Sequence, residues 1–279
     1  MVRGTTSSGD KLQTLCLWRH RHQKNVTIIP MTKLSININK FALLRNARNQ
    51  DTPNLISIAK KCINFGCNGI TVHPRPDERH IRYDDLQPLN TLIKQYTHIE
   101  FNIEGYPSDD FVNRITAISP DQVTLVPDPP EALTSSYGWD LQKYQTQLTD
   151  LIQHFKAYSI RCSLFIDPSL TQLEHLLQLQ PDRVELYTYD YNDHYHNNKK
   201  AAILPYCHVV DWLTTHTTIG INAGHDLNLD NLQYLLQTLP AIQEVSIGHQ
   251  FVCDCLDFGL EQTMRRYLEL LPNSLPKTA

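Results

Sequence analysis

From residue 33 onward the chain repeats one unit: a short β-rich run, a loop, then a stretch with helical spacing of apolar residues. The runs stand at 33–39 (KLSININ), 69–73 (GITVH), 99–104 (IEFNIE), 122–127 (QVTLVP), 161–167 (RCSLFID), 183–188 (RVELYT), 218–223 (TIGINA) and 244–248 (EVSIG). Each is short and mostly made of Val, Ile, Leu, Phe or Thr, which suit a pleated surface. Between them, Leu55, Ile58, Ala59, Cys62 and Ile63 of 53–65 fall on one helical stripe. Segments 83–96, 108–118, 140–158, 170–179, 228–238 and 250–271 carry the same period. Ser108, followed by two aspartates, predicts a helix start with negative charge at the positive end of the dipole. Asp140 and Asn228 stand where caps are expected.

Strands separated by helical crossovers pair in parallel. Eight such units predict an α/β fold of the closed (β/α)8 TIM barrel kind with extra helices. An open sheet of the dinucleotide-binding kind is disfavoured, because no G-x-G-x-x-G follows the first run. Segment 189–217 is longer than one crossover requires and predicts an extra helix or a polar lid over 189–200.

A formal charge of −4 and a pI of about 6.3 give no reason to expect nucleic acid or an anionic membrane as partner. No apolar run approaches the roughly 18 residues of a spanning helix. The seven cysteines are odd in number and irregularly spaced, which fits a reducing cytoplasm. Cys253-Asp-Cys255 has no second pair at zinc-like spacing and reads as buried helical thiols. Residues 1–30 carry five Lys/Arg against one acid, Asp10, and read as a basic, disordered extension preceding a single barrel domain at 31–279.

In such a barrel the active site lies at the carboxyl ends of the strands. The first run ends at Asn37-Ile-Asn39-Lys40, the second at His73, the third at Glu104 and the fifth at Asp167. The sixth ends at Glu185-Leu-Tyr187-Thr188, the seventh at Asn222-Ala-Gly224-His225 and the eighth at Gly248-His249. One histidine at a strand end is most often structural. His73, Glu104, His225 and His249 lie on four different strands, and the fold aims all four into one mouth. With the asparagines they make a cup suited to moving protons.

The glycines of "NAGHDLN" and "SIGHQ" allow close backbone approach where barrels commonly bind phosphate. Arg45, Arg48, Arg75, Arg79 and Arg82 follow the first two runs, and arginine grips phosphate bidentately. Two phosphate-gripping regions across one mouth predict two phosphorylated substrates or one bisphosphate. Lys40 at a strand end leaves room for another class of enzyme, a Schiff-base aldolase of a phosphorylated sugar.

Seven motifs occur in order: "NINKFALLRNAR", "GITVHPRPDERHI", "FNIEG", "TLVPD", "SLFID", "INAGHDL" and "SIGH". Together they resemble the pyridoxine 5′-phosphate synthase family of the deoxyxylulose-dependent vitamin B6 pathway, over roughly residues 33–270. The resemblance implies condensation of 3-amino-2-oxopropyl phosphate with 1-deoxy-D-xylulose 5-phosphate, giving pyridoxine 5′-phosphate, phosphate and water. It implies no metal or organic cofactor, small phosphorylated substrates as the only ligands, and a cytoplasmic homo-octamer. By position, His73 and Glu104 correspond to proton acceptors and His225 to a proton donor. Asn37, Arg48, Gly248 and His249 correspond to aminoketone phosphate contacts, and Asp226 to a substrate contact. Asn39, Lys40, Arg75, His80 and Thr134 correspond to deoxyxylulose phosphate contacts. The chain departs from common family usage at Asn39-Lys40, often Asp-His, at Tyr187, sometimes His, and at Asp226, often Gly.

Overall fold

The computed structural model describes residues 31–48, 50–128 and 135–272. The basic segment 1–30 and Thr134 lie outside the described residues. Eight parallel strands close into a barrel in sequence order. They are β1 (Lys33–Asn37), β2 (Gly69–Val72), β3 (Glu100–Gly105), β4 (Gln122–Leu125), β5 (Arg161–Ile166), β6 (Arg183–Tyr187), β7 (Gly220–Gly224) and β8 (Ile242–Ile247). The ring closes where β1 pairs with β8, Leu34 facing Val245 and Ile36 facing Ile247.

The alternation along each strand divides the barrel in two. Leu34, Ile36, Ile70, Val72, Phe101, Ile103, Leu164 and Val245 are fully or almost fully buried and join the hydrophobic core beneath the helices. The intervening residues point inward, and most of them are polar. Ser35 and Thr71 share a hydrogen bond of 2.7 Å, and Thr124 donates to Asn102 Oδ1 at 3.0 Å. At the amino ends, Arg161 bonds Glu100 at 2.7 Å and Gln122 at 2.8 Å, Lys33 pairs with Glu100, and Arg183 donates to Asn222 at 2.6 Å. Burying such groups is costly unless each finds a partner. The interior is therefore a hydrogen-bonded network rather than the usual packing of branched aliphatics.

The helical layer follows the expected periods with two differences. The first run ends at Asn37, not residue 39. Asn37 Oδ1 accepts the Asn39 N–H at 3.0 Å, turning the chain straight into α1 (Asn39–Asn46) ahead of α2 (Leu55–Asn64). Asn39 and Lys40 thus open a helix rather than end a strand. Next come α3 (Tyr83–Ile93), α4 (Asp109–Ile118), α5 (Gln145–Ala157), a 3-10 turn (Leu170–His175) and the short α6 (Leu176–Leu179). Ser108 caps α4 as expected, accepting the Phe111 N–H.

Of the two readings of segment 189–217, the extra helix is the one found. Residues Tyr189–His216 form α7, two helical arms meeting at Asn198, whose φ of −159° and ψ of 88° break the helix. Fully buried Tyr191 donates to the Asn231 carbonyl at 2.7 Å and Tyr195 to the Asp230 carbonyl at 3.0 Å, pinning the first arm. Asn198 Oδ1 accepts the Ala201 N–H at 3.1 Å and so starts the second arm. After α8 (Leu232–Thr238), the expected helix 250–271 is two helices, α9 (His249–Phe258) and α10 (Leu260–Glu269). They part at Gly259, whose φ is +74°. Among the described residues no helix is long and apolar enough to cross a membrane.

Candidate active site

The carboxyl ends of β1, β2 and β3 bring three expected site residues together. His73 Nδ1 lies 3.8 Å from Glu104 Oε2, and Asn37 Nδ2 lies 3.4 Å from the same oxygen. Asn39 Oδ1 accepts the His73 backbone N–H at 2.9 Å, so α1 fixes where β2 ends. Across the barrel seam, Gly248 sits against the Asn37 side chain.

His73 and Glu104 resemble an ion pair by distance, yet their surroundings favour the neutral form of each. Burial pushes His73 well below the usual imidazole range, and the charges of Arg75, His80 and Arg79 push the same way. Burial pushes Glu104 up to about 8; Asp128 and Glu244 add to this and Arg75 opposes it. A neutral imidazole therefore faces a carboxyl that holds its proton near neutrality.

Glu185, on β6, was not among the expected site residues. It is buried, and burial together with Glu104 and Glu244 holds its carboxyl well above the usual range. Gly224 makes room for it: a Cβ there would fall 2.2 Å from Glu185 Oε1. The strand's period gives the missing signal, since Arg183, Glu185 and Tyr187 share one face of β6 with Tyr187 at the mouth.

Of the arginines, Arg75 is buried and faces the cup's rim, with Nη2 3.1 Å from Asp128 Oδ2. Asp128, just past the end of β4 in the TLVPD motif, also accepts from Ser135 Oγ at 2.5 Å. Arg45 is committed elsewhere: it bonds both Asp85 oxygens at 2.6 and 2.9 Å and the His80 carbonyl at 3.2 Å. With Asn46, which donates to the His80 carbonyl at 2.8 Å, it staples the 74–82 loop to α1. Arg79 pairs with Asp77 at 2.7 Å, the Arg82 N–H bonds Asp85 ahead of α3, and Arg48 is exposed in the turn after α1.

His80 is buried, with its ring 6.2 Å from that of His73. Its Nδ1 accepts the Ile81 N–H at 2.9 Å, leaving Nε2 as the donor nitrogen. Burial, then Arg75 and Lys40, bring its pKa down to about 4. Lys40 is half-buried in the first turn of α1. His225 and Asp226 follow β7 directly, with His225 Nδ1 3.1 Å from Asp226 Oδ2 and its ring edge-on to Tyr187 at 4.9 Å. His249 opens α9 behind Gly248, as the phosphate-loop reading requires. β7 instead leads into a turn, and α8 does not begin until Leu232.

A cleft lined by His73, Arg75, Tyr106 and Asp128 opens beside the acid–base pair. The larger cavity, about 590 Å³, is bounded by Asp167, Asp190, His194 and Tyr206 and shares no residue with the cup. The chemistry, rather than the volume, locates the site.

Residues 34–273 match the family described as pyridoxal phosphate biosynthesis protein PdxJ. The chain belongs to the PdxJ family. It is 48% identical over 241 residues to a pyridoxine 5′-phosphate synthase of Cytophaga hutchinsonii, covering 86% of this chain and 99% of that protein. It is also 48% identical over 242 residues to the synthase of Porphyromonas gingivalis, again covering 86% and 99%. Among solved structures it is similar to tryptophan synthase from M. tuberculosis, with a TM-score of 0.58 and 12% identity over 86% of this chain and 93% of that one. It is likewise similar to thiamine phosphate pyrophosphorylase from Pyrococcus furiosus, with a TM-score of 0.54 and 13% identity over 85% and 94%. At those identities the two structures speak for the barrel alone. PdxJ membership accounts for the order of the motifs.

Proposed function

We propose that this chain is a pyridoxine 5′-phosphate synthase whose cup performs the proton transfers of the ring closure. One observation carries the reading: a neutral His73 stands 3.8 Å from a Glu104 carboxyl held up at about 8, on adjacent strands of a polar barrel. The amine of 3-amino-2-oxopropyl phosphate condenses with the ketone of 1-deoxy-D-xylulose 5-phosphate and water leaves. Phosphate is then eliminated and water adds in its place, and a carbon–carbon bond closes the ring with loss of two further waters, so that pyridoxine 5′-phosphate, one phosphate and two waters balance the two substrates. Each step moves a proton between carbon, nitrogen or oxygen and a side chain, worth roughly 10²–10⁴-fold per well-placed group.

In this reading neutral His73 takes a proton from the substrate. Glu104 is protonated in much of the free enzyme at pH 7, so it accepts only after giving its proton up. His225, directly after β7, returns a proton to the leaving oxygen. Buried Glu185, held in its protonated form, donates a hydrogen bond to a substrate oxygen. Arg75 and His80 hold one phosphate, with Asn39, Lys40 and Thr134 on the same substrate. Asn37, Arg48 and the Gly248-His249 start of α9 hold the other. We extend the proposal to a cytoplasmic homo-octamer. The free thiols of the described cysteines and the exposed Leu43 and Leu44 on α1 support it.

The test mixes purified protein with both substrates and follows phosphate and pyridoxine 5′-phosphate together. Equal amounts of the two are expected. Phosphate without the pyridine product, or neither from folded protein, overturns the reading. Borohydride added during turnover is expected to leave Lys40 unmodified; a trapped adduct there points to the aldolase instead.

A further inference from the structure

His225 and Asp226 are adjacent residues with positive φ, +84° and +57°, and neither is glycine. Two of the other such positions have ordinary reasons: Ser119 and Gln180 end helices in the left-handed conformation. His225 and Asp226 come directly off strand β7, where a left-handed turn costs energy that glycine would avoid.

The turn is held from outside. Thr188 Oγ donates to the carbonyls of Gly224 and His225. Asn228 and Asn231 donate their side-chain N–H groups to the Asp226 carbonyl at 3.3 and 3.2 Å. These bonds use the backbone of the turn and leave the Asp226 carboxylate uncommitted. It faces His225, with Oδ2 3.1 Å from Nδ1. The His225 contact, against opposing burial, holds the Asp226 carboxyl below its ordinary range, and His249 and Lys40 add to the effect. On the other side, the rings of Tyr187 and Tyr189 pack edge-on to His225 at 4.9 and 6.3 Å. A carboxylate aimed at a phosphorylated substrate would repel it; aimed at a histidine it orients the ring.

We propose that Asp226 is a positioning residue: its carboxylate engages Nδ1 of His225 and so presents Nε2 to the substrate. The strained turn is the means by which the carboxylate reaches the ring. This rests on His225 being the proton donor, and the test separates the two claims.

Asp226→Gly fits the turn without strain but removes the carboxylate, and Asp226→Asn keeps an acceptor oxygen without the charge. For Asp226→Gly the expectation is a kcat lower by about 10–100-fold with KM values within about threefold. Its melting temperature should rise by about 2–4 °C as the strain is relieved. Asp226→Asn should recover several-fold of the lost kcat. Solid-state ¹⁵N spectra of histidine-labelled protein, with His225 assigned by its absence in His225→Gln, should show Nδ1 protonated in the unmodified protein. That preference should be lost in Asp226→Gly. A merely structural role would lower stability and leave the ring nitrogens as they were. An unchanged His225 tautomer in Asp226→Gly, or wild-type kcat there, overturns the proposal. If the unmodified protein makes no pyridoxine 5′-phosphate, the synthase reading fails, and the ¹⁵N spectra alone decide the role of Asp226.

Discussion

Glu100 and Glu104 lie on the same strand, β3, four residues apart and on the same inward face, yet the barrel treats them in opposite ways. At the floor, burial pushes Glu100 upward. Hydrogen bonds from Arg161 and Lys33 overcome it, holding the carboxyl at about 2. At the mouth, burial and the charge of Asp128 lift Glu104 to about 8, and Arg75, the nearest opposing cation, is itself engaged by Asp128. One residue type is thus a fixed anion at one end of a strand and, as proposed, a proton carrier at the other. Placement of cations makes the difference, not burial, since both carboxylates are largely withdrawn from water.

The largest expected effect comes from removing the carrier. Glu104→Gln keeps the shape and the neutral state, so kcat should fall by roughly 10²–10⁴-fold. Stability should not fall with it. A carboxyl raised to about 8 contributes stability that is fully present below its unfolded value of about 4.5 and is lost as pH rises through about 8. The variant should therefore melt at or above the wild-type temperature at pH 8. Scanning calorimetry at pH 5 and pH 8 checks this, and a lower melting temperature at both pH values would mean Glu104 is structural.

The floor should show the reverse. Glu100 is depressed, so its contribution is present above about 4.5 and lost as pH falls through about 2. Arg161→Met removes its main partner and leaves Lys33 to hold a largely buried charge, at a cost of roughly 1.5–3 kcal/mol by urea denaturation at pH 7. The cost should shrink in acid. The protein that remains folded should retain kcat within about threefold, because Arg161 stands at the far end of the strand from the cup. A large loss of kcat without loss of stability would break the division between floor and mouth.

A smaller effect is expected at the joint between β6 and β7. The Cβ of Gly224→Ala would sit 2.2 Å from Glu185 Oε1, so the buried carboxyl must move. The expected result is about 1–3 kcal/mol of lost stability with roughly a tenfold drop in kcat. Adding Glu185→Ala, which frees the space, should restore the stability and leave the kcat low.

The barrel was legible because its signal is periodic and long-range: eight alternations leave few topologies. His73, Glu104 and His225 were legible because each stands where a strand gives way to a loop. Glu185 was not, since it sits one pleat deeper and needed the period-2 parity of β6 extended inward. The role of Asp128 was hidden because it depends on Arg75, more than fifty residues earlier in the chain, and no local pattern records that pairing. Arg45 looked like a phosphate grip, but a guanidinium matches any carboxylate, and Asp85 takes it. The polarity of 189–197 alone did not decide between a lid and a helix. Tyr191 and Tyr195, four apart on one helical face, are what anchor it.

Asp128 gives the subtlest test of the comparison between the two ends of β3. After burial it is the next cause lifting Glu104, while Arg75, which it engages, opposes the lift. Asp128→Asn removes the like charge, keeps the shape and leaves Arg75 freer to act on Glu104. Each change makes the mouth more like the floor, so the Glu104 carboxyl should ionise at lower pH. If turnover needs ionised Glu104, the kcat/KM profile of the unmodified enzyme rises with pH through about 8, and in Asp128→Asn that rise should begin earlier. The same variant should change KM by only a few-fold, and mainly for the substrate whose phosphate Arg75 is proposed to hold, because that arginine would no longer exchange a buried carboxylate for the phosphate. If KM changes but the pH profile stays in place, burial alone sets Glu104, and the contrast with Glu100 reduces to the two cations at the floor.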